Sequence, residues 1–440
     1  MPRDIHIEYI STEEVRRSTG KPGTVIVDAR PVDAYNGWGM RGEKRGGHIP
    51  SAKSLPVKWA GYIDWVETVR NKGIKPENRI VVYAYEKEDA EKVAARLIRA
   101  GYPDTRVYAV FTSEWLSSEE LPLERLERYR HLVPAEWLKI LIETGTAPGY
   151  GNGRFVVCHA HYRNREDYEK GHIPGAVPVD TNSLESQKTW NRRSPEELEK
   201  ALGEAGIASD TTVILYGRFS SPKNDDPFPG SSAGHLAAFR CAFIMMYAGV
   251  RDIRILNGGM QAWEDAGFVT ATEEHAVKPA GPFGRKIPAL PEIASDLPEA
   301  REILADPEAN LISVRSRREF TGEVSGYNYI EKKGRIPGAV FGACGSDAYH
   351  MENYRNPDHT AREYGEVAGM WEKSGITPDK RNSFYCGTGW RGSEAFFNAW
   401  FMGWPRISVF DGGWFEWSGD PENPVETGRP GEVSPEGATV

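Results

Sequence analysis

The feature that most constrains the fold is a chain segment that recurs three times. Each copy contains a turn in which Ile-Pro follows a glycine and a basic residue, and the three Ile-Pro pairs begin at positions 49, 173 and 336. A strand-like stretch precedes each turn, and a polar helical stretch, an apolar strand, a loop, a helix and a closing strand follow it. A repeat of this length is a domain rather than a solenoid unit, so three similar domains are predicted.

The order of elements within each copy predicts an α/β fold. Short apolar strands alternate with amphipathic helices, which is typical of a doubly wound parallel sheet with helices on both faces. The predicted inner strands are Arg79–Tyr83, Thr211–Tyr216 and Asn382–Tyr385, the helices after them are 88–100, 233–247 and 393–402, and the closing strands are 106–110, 252–256 and 406–410. The predicted domains are 1–127, 128–277 and 278–440, the last with an irregular tail from Gly419 to Val440.

Composition excludes several classes of function. The net charge of the 440 residues is −9, which argues against a nucleic-acid partner, and no apolar run reaches the length of a membrane span. The four cysteines are far apart and form no C-x-x-C pair, so neither a disulfide framework nor a cofactor or metal site is expected. His159 and His161 would share a strand face, but no further ligand cluster accompanies them.

Location and assembly follow from the same features. Met1-Pro2-Arg3-Asp4 does not begin a secretory leader, so a cytoplasmic location is expected, and a periplasmic location stays open if a leader precedes this sequence. A monomer is also expected. Three domains in one chain supply large buried contacts without a partner chain.

The run from Cys386 to Arg391 carries the strongest chemical signal. It reads Cys-Gly-Thr-Gly-Trp-Arg and lies between a predicted strand and a predicted helix. Glycines let backbone N–H groups turn inward, and a helix N-terminus adds positive potential, so Cys386 is predicted to be a readily ionised nucleophile. Gly387, Thr388, Gly389, Trp390 and Arg391 are the predicted substrate-binding residues.

Two residues of this loop have alternative interpretations. Arg391 is predicted to bind the anionic end of a substrate, and the alternative is that it pins the loop to an acidic residue such as Glu394. Trp390 either walls the pocket or makes a contact between domains.

Together these residues resemble the rhodanese family. The resemblance rests on Asp28-Ala29-Arg30, on Gly-His-Ile-Pro-Gly-Ala at 171–176, on the cysteine loop and on the Gly-Gly endings near 258 and 412. The resemblance covers nearly the whole chain. In particular, the chain is similar to three-domain sulfurtransferases with one working loop. Ala84 and Gly217 stand at the cysteine position of the first two copies, which implies two inactive domains and one catalytic domain, 278–440.

The resemblance implies a sulfurtransferase that works by double displacement. Cys386 would take the outer sulfur of thiosulfate as a persulfide and pass it to cyanide or a thiol. Two alternatives remain open: 3-mercaptopyruvate as the donor, because Cys-Gly-Thr-Gly resembles the loop of those enzymes, and a carrier that receives sulfur from a protein such as a cysteine desulfurase. Related cysteine phosphatases use Cys-x5-Arg, whereas Arg391 lies five positions after Cys386, so phosphoryl chemistry is disfavoured.

Several residues outside the loop also carry predictions. Arg315 and its counterparts Arg30 and Arg163 are expected to be structural ion-pair partners near the Ile-Pro turns. Glu319 stands where two-domain relatives have a substrate-binding arginine, and Arg318 is the predicted replacement. Asp411, matched by Asn257, is expected to cap a turn. Cys344 is expected to be a packed loop cysteine, with a second thiol near the pocket as the alternative.

Overall fold

The computed structural model describes residues 5–219 and 233–430, and within them it contains three five-stranded sheets. The strands are β1 Glu8–Tyr9, β2 Thr24–Asp28, β3 Lys53–Ser54, β4 Arg79–Tyr83 and β5 Thr105–Val107; β6 Leu132–Val133, β7 Phe155–His161, β8 Val177–Asp180, β9 Thr212–Tyr216 and β10 Asp252–Leu256; β11 Ala294–Ser295, β12 Ala309–Ser313, β13 Val340–Phe341, β14 Arg381–Tyr385 and β15 Ile407–Phe410. All strand pairs are parallel.

The three sheets have the same topology. Their orders are β1-β5-β4-β2-β3, β6-β10-β9-β7-β8 and β11-β15-β14-β12-β13. The helices that accompany them are α1 Thr12–Ser18, α2 Val32–Asn36, α3 Trp65–Asn71 and α4 Lys87–Arg99; α5 Ala135–Thr144, α6 Glu166–Glu169, α7 Pro195–Glu204, α8 Gly234–Ala248 and α9 Gly259–Asp265; α10 Leu297–Ala305, α11 Arg317–Phe320, α12 Tyr364–Glu372, α13 Trp390–Phe401 and α14 Gly413–Gly419. The predicted α/β fold with three tandem repeats is confirmed.

The described residues form two compact units, one ending at Arg130 and the other beginning at His131. The second unit contains the second and third repeats, and the domain boundaries proposed above stay predictions. The insertion Ser220–Gly230 and the end of the predicted tail, residues 431–440, lie outside the described residues. No described helix combines the length and apolar character needed to cross a bilayer.

The middle strand of each sheet leads to the position of the candidate nucleophile. Strands β4, β9 and β14 each end on a tyrosine, and the next residues are Ala84, Gly217 and Cys386. The hydroxyl of Tyr83 accepts the backbone N–H of Ile49 at 3.1 Å, and that of Tyr216 accepts the N–H of Ile173 at 2.9 Å. The Ile-Pro turn is therefore held beside the carboxyl end of the middle strand, where ligands bind in open parallel sheets.

Helix α8 joins the second and third repeats. Every residue of α8 is buried, because the helix packs on its own sheet and also on α13. Phe243 meets Phe396 with ring centroids 5.4 Å apart, and Phe239 meets Phe397 at 5.8 Å. A mostly apolar helix of this kind is stable where it is covered on all sides, and α8 is covered by its own sheet and by α13, so these two repeats form one packed body.

A buried ion cluster centred on Arg240 of α8 reinforces this packing. Arg240 donates to Glu185 at 2.7 Å and to Asp411 at 2.5 Å, and all three side chains are fully buried. Arg192 also donates to Asp411, at 3.0 Å. Burial raises the pKa of Asp411, but Arg240 and Arg192 outweigh this effect and lower it.

The prediction that Asp411 caps its own turn is wrong, because its partners belong to the second repeat. Its counterpart Asn257 also bonds across the repeats, since its Oδ1 accepts the N–H of Ala361 at 2.8 Å.

We predict that Arg240→Gln lowers the free energy of unfolding by about 3–5 kcal/mol, because it leaves buried Glu185 without its cation and leaves Asp411 with Arg192 alone. Thermal and urea unfolding would measure the loss. Lys200→Gln is the matched control, because Lys200 forms an exposed pair with Glu204 and its removal should cost about 1 kcal/mol or less. Equal effects of the two changes would contradict a stabilising role for the buried cluster.

Candidate active site

Cys386 lies between the end of β14 and the start of α13. It is 1% exposed. Its carbonyl accepts the N–H of Trp414 at 2.8 Å, and the carbonyl of Gly387 accepts the N–H of Phe415 at 2.9 Å. The first turn of α14 thus holds the loop in place from below.

Most of the backbone N–H groups of this loop, among the described residues, have no hydrogen-bond acceptor. The N–H of Gly387 donates to the hydroxyl of Tyr327 at 3.1 Å. Within residues 5–219 and 233–430, no group accepts the N–H groups of Thr388, Gly389 and Trp390. Adjacent unsatisfied N–H groups at the start of a 12-residue helix form a site suited to an anion.

Two loop glycines are required by close approaches. A Cβ on Gly387 would lie 2.2 Å from Cζ of Tyr327, and one on Gly389 would lie 2.7 Å from Nη1 of Arg240. Gly389 also has a φ of +86°, which residues that carry a side chain rarely adopt. The loop is therefore shaped by Tyr327 on one side and by the second repeat on the other.

Arg391 is held inside the protein by an acidic partner. It is fully buried, and its guanidinium donates to both carboxylate oxygens of Glu319, at 2.8 and 3.0 Å. It also donates to the hydroxyl of Tyr327 at 2.7 Å and to the carbonyl of Asp347 at 2.9 Å. This geometry favours the pinning alternative over anion capture. The acid is Glu319 rather than Glu394, which pairs with Arg355.

Glu319 lies between two arginines. Burial raises its pKa, but Arg391 and Arg315 outweigh burial and lower the pKa to about 2. The carboxylate is therefore charged at neutral pH and compensates the guanidinium nearest to the loop.

Cys386 opens into a cavity of about 480 Å³ with a largely aromatic wall. The aromatic side chains in this wall are Tyr162, Trp190, Tyr327, Tyr329, Tyr349, Trp390 and Phe415. Neighbouring rings are in contact: the centroids of Trp390 and Tyr162 are 5.4 Å apart, and those of Trp190 and Tyr329 are 5.3 Å apart. The ring centroids of Tyr329 and Tyr327 are 5.4 Å apart. We call this wall the aromatic cage.

The second repeat supplies part of the cage and supports the rest. Tyr162 and Trp190 come from that repeat. Trp390 both lines the cavity and donates its indole N–H to buried Glu185 of the second repeat at 2.9 Å, so both of its predicted roles are found.

The remaining predicted residues lie elsewhere. Arg318 is exposed, pairs with Glu323 and does not line the cavity, so the structure does not bring it together with Cys386. Cys344 is buried with Sγ 3.9 Å from Nη1 of Arg391, and burial raises its pKa to about 12. The described residues contain no group of three or more side chains suited to a metal ion, and burial lowers the pKa of His159 to about 3.

The three strand-end arginines differ. Arg30 and Arg315 are buried, pair with Asp28 and Glu319, and donate to a carbonyl in the Ile-Pro turn, which confirms the structural prediction. Arg163 differs from these two, because the corresponding turn carbonyl, that of Gly171, accepts from Arg218 and Arg163 lines the cavity; an ion-pair role for Arg163 stays a prediction.

Sequence reasoning missed most of the cage. Tyr327 and Tyr329 lie in a segment between Phe320 and Gly334 that is much shorter in the second repeat, where Tyr168 is followed closely by Gly171. This extra, aromatic-rich length beside the only cysteine-bearing loop was a usable signal. Glu185 and Trp190 gave no comparable signal, because their partners are distant in sequence.

The comparisons with known proteins agree on one family. The rhodanese-like domain model matches residues 11–118, 161–266 and 296–420. Thiosulfate sulfurtransferase YnjE of Escherichia coli K12 is 39% identical over 97% of this chain and 93% of its own length.

Solved structures give a closer likeness. Wild-type EanB is 57% identical, with a TM-score of 0.95, over 97% of this chain and 99% of its own. EanB has been solved with hercynine, with ergothioneine, and as a cysteine persulfide in a tetrahedral intermediate state with ergothioneine. The anaerobic ergothioneine biosynthesis enzyme of Chlorobium limicola, bound to its natural substrate trimethyl histidine, is 56% identical over 97% of this chain and all of its own, with a TM-score of 0.95.

The residues altered in those EanB structures have counterparts in this cavity. A tyrosine changed in one of them and the persulfide cysteine are separated by as many positions as Tyr327 and Cys386. A threonine changed in others lies two positions after that cysteine, as Thr388 follows Cys386.

We predict that Glu319→Gln destabilises the protein at neutral pH and that the difference from the wild type shrinks in acid. The folded-state pKa of about 2 lies below the ordinary value of 4.5, so the stabilisation is complete above pH 4.5 and is lost as the pH falls toward 2. Thermal unfolding across this range would measure it, with exposed Glu323→Gln as the control. A difference that does not depend on pH would contradict the assignment.

Proposed function

The chain belongs to the rhodanese family and is a sulfurtransferase, and we propose that its sulfur acceptor is hercynine, the trimethylated histidine, which it converts to ergothioneine. The observation that carries this proposal is the aromatic cage beside Cys386. The likeness to EanB over nearly the full length of both chains supports it.

The cage is suited to a quaternary ammonium group. Aromatic faces attract cations that cannot form hydrogen bonds, and a trimethylammonium group gains most where several rings surround it. The Trp190–Tyr329 stack and the Tyr162–Trp390 contact provide such faces within one cavity. A small dianionic acceptor or donor gains nothing from these surfaces.

The charge at the base of the cavity points the same way. Arg391 is bound by Glu319 through both carboxylate oxygens, so it offers little net positive potential to an incoming anion. Among the described residues, the N–H groups of Thr388, Gly389 and Trp390 have no acceptor, so they can bind an anion. This arrangement supports a persulfide anion on Cys386 beside a cationic organic acceptor.

The reaction has two displacements. In the first, the Cys386 thiolate attacks the outer sulfur of a donor; if the donor is thiosulfate, sulfite leaves with the electron pair of the broken S–S bond. In the second, the ring carbon between the two nitrogens bonds to the terminal persulfide sulfur and the Cys386 S–S bond breaks. The ring carbon loses a proton and is oxidised by two electrons, while the transferred sulfur is reduced. Cys386 returns as a thiolate, and the proton ends on the sulfur-bearing product.

Tyr327 is placed to serve the second displacement. Its hydroxyl oxygen accepts hydrogen bonds from Gly387 and Arg391, so its own proton is available for a group in the cavity. Burial, together with nearby Cys386, raises the pKa of Tyr327 well above its usual range although Arg391 opposes this. The phenol therefore stays protonated at neutral pH and can protonate a leaving or intermediate anion.

The donor is a separate question. The likeness to YnjE keeps thiosulfate as the first candidate, with 3-mercaptopyruvate and persulfide delivery from a protein such as a cysteine desulfurase as alternatives. Cyanide or a simple thiol remains the acceptor to compare with hercynine. Mass spectrometry of Cys386 after incubation with each donor would identify the donor that adds one sulfur atom.

We predict that the purified protein forms ergothioneine from hercynine and a competent donor, and that Cys386→Ser abolishes both this product and the added sulfur. Product formation would be followed by chromatography with mass detection. Cys344→Ala is the matched control, because it removes the other sulfur near the cavity and should leave turnover in place. Sulfur transfer to cyanide but not to hercynine would overturn the acceptor assignment.

We predict that Tyr329→Leu raises the KM for hercynine about 2- to 30-fold with little change in kcat, because one cation–π face is lost. Tyr329 is 41% exposed, so its replacement spares the core. Tyr329→Phe keeps the aromatic face and should behave like the wild type. Similar KM values for the Leu and Phe variants would show that the ring does not bind the ammonium group.

A further inference from the structure

The second repeat has exchanged the roles of two arginines. In the first and third repeats the strand-end arginine donates to the glycine carbonyl of the Ile-Pro turn, Arg30 to Gly47 at 2.6 Å and Arg315 to Gly334 at 2.7 Å. In the second repeat the corresponding carbonyl, that of Gly171, accepts from Arg218 at 3.2 Å.

Arg218 comes from the loop that has lost its cysteine. It follows Gly217 directly and also pairs with Glu264 at 2.9 Å. The hydrogen bond to the turn carbonyl that the strand-end arginine forms in the other two repeats is thus formed by Arg218 in the second.

Arg163 is instead directed to the cavity by a constrained backbone. Its φ is +58°, a backbone conformation unusual for a residue other than glycine. Its backbone N–H donates to the carboxylate of Asp180 at 3.1 Å. Its guanidinium donates to the hydroxyl of Tyr162 at 3.1 Å and to Oε1 of Gln187 at 2.7 Å. All three of Arg163, Tyr162 and Gln187 line the cavity.

The substrate class of the proposed function needs such a group. Hercynine carries a carboxylate on the same carbon as its trimethylammonium group, so the aromatic cage and a cation must lie side by side. Arg163 is one of the cationic residues that line the cavity. Arg163 is exposed and lies next in sequence to Tyr162 of the cage.

We propose that Arg163 binds the carboxylate of the trimethylated amino acid, a role that rests on the proposed function. The planar guanidinium pairs with a carboxylate through two hydrogen bonds, and Gln187 and Tyr162 orient it. The second repeat, which has Gly217 in place of the loop cysteine, is then the half of the site that selects the substrate, while the third repeat carries the transferred sulfur.

The test compares two acceptors, hercynine and N,N,N-trimethylhistamine, which keeps the ring and the ammonium group but lacks the carboxylate. In Arg163→Gln, kcat/KM for hercynine should fall about 10- to 150-fold while that for trimethylhistamine stays nearly constant. Arg163→Lys should lie between the wild type and Arg163→Gln. Arg165→Gln is the matched control, because Arg165 is exposed, pairs with Glu169 and Glu274 and does not line the cavity.

Two outcomes would overturn the proposal. Equal losses with both acceptors would indicate a structural role for Arg163, and no loss with either would indicate no role. Sulfur loading of Cys386 in Arg163→Gln, read by mass spectrometry, confirms that the variant is folded and competent for the first displacement.

A binding measurement separates this proposal from the proposed function. Calorimetry would compare hercynine binding to Cys386→Ser with binding to the variant that also carries Arg163→Gln. Arg163-dependent binding without turnover in the wild type would support the carboxylate site and refute the proposed reaction. Turnover by the wild type, together with hercynine binding that does not depend on Arg163, would support the proposed reaction and refute the carboxylate site.

Discussion

The buried pair between Glu319 and Arg391 is the interaction on which the site depends. It joins α11 to the first turn of α13, and through Arg391 it holds the hydroxyl of Tyr327 beside the N–H of Gly387. It also removes net charge from the base of the cavity. An arginine at this position without its acid would favour small anions, whereas the compensated pair leaves an aromatic cavity with little net charge beside Cys386.

The second repeat forms part of the cavity beside Cys386 of the third. A Cβ on Gly217 would lie 1.9 Å from the carbonyl oxygen of Gly234, so no side chain, and hence no cysteine, fits there in this arrangement. The backbone of α8 occupies that space, and α8 carries Arg240 to the far side of the active loop. The packing that brings Arg240 to this loop therefore also leaves no room for a side chain at position 217.

Local patterns were sufficient for the elements of the fold. The strand predicted at Arg79–Tyr83 agrees with β4, and the helix predicted at 233–247 agrees with α8 within one residue. The helix predicted at 393–402 begins at Trp390, because the loop closes through Gly389 in a left-handed conformation. Such signals are readable because hydrophobic periodicity, glycine and proline act over a few neighbouring residues.

The sequence by itself determined the three repeats, the parallel sheets and the single cysteine-bearing loop. Only the tertiary structure decided that Arg391 pairs with Glu319, that Trp390 donates a hydrogen bond to Glu185 and that Arg163 lines the cavity. The physical reason is distance along the chain: each of these contacts joins residues that are dozens to hundreds of positions apart, and the partner of a buried charge is set by which segments the fold brings together.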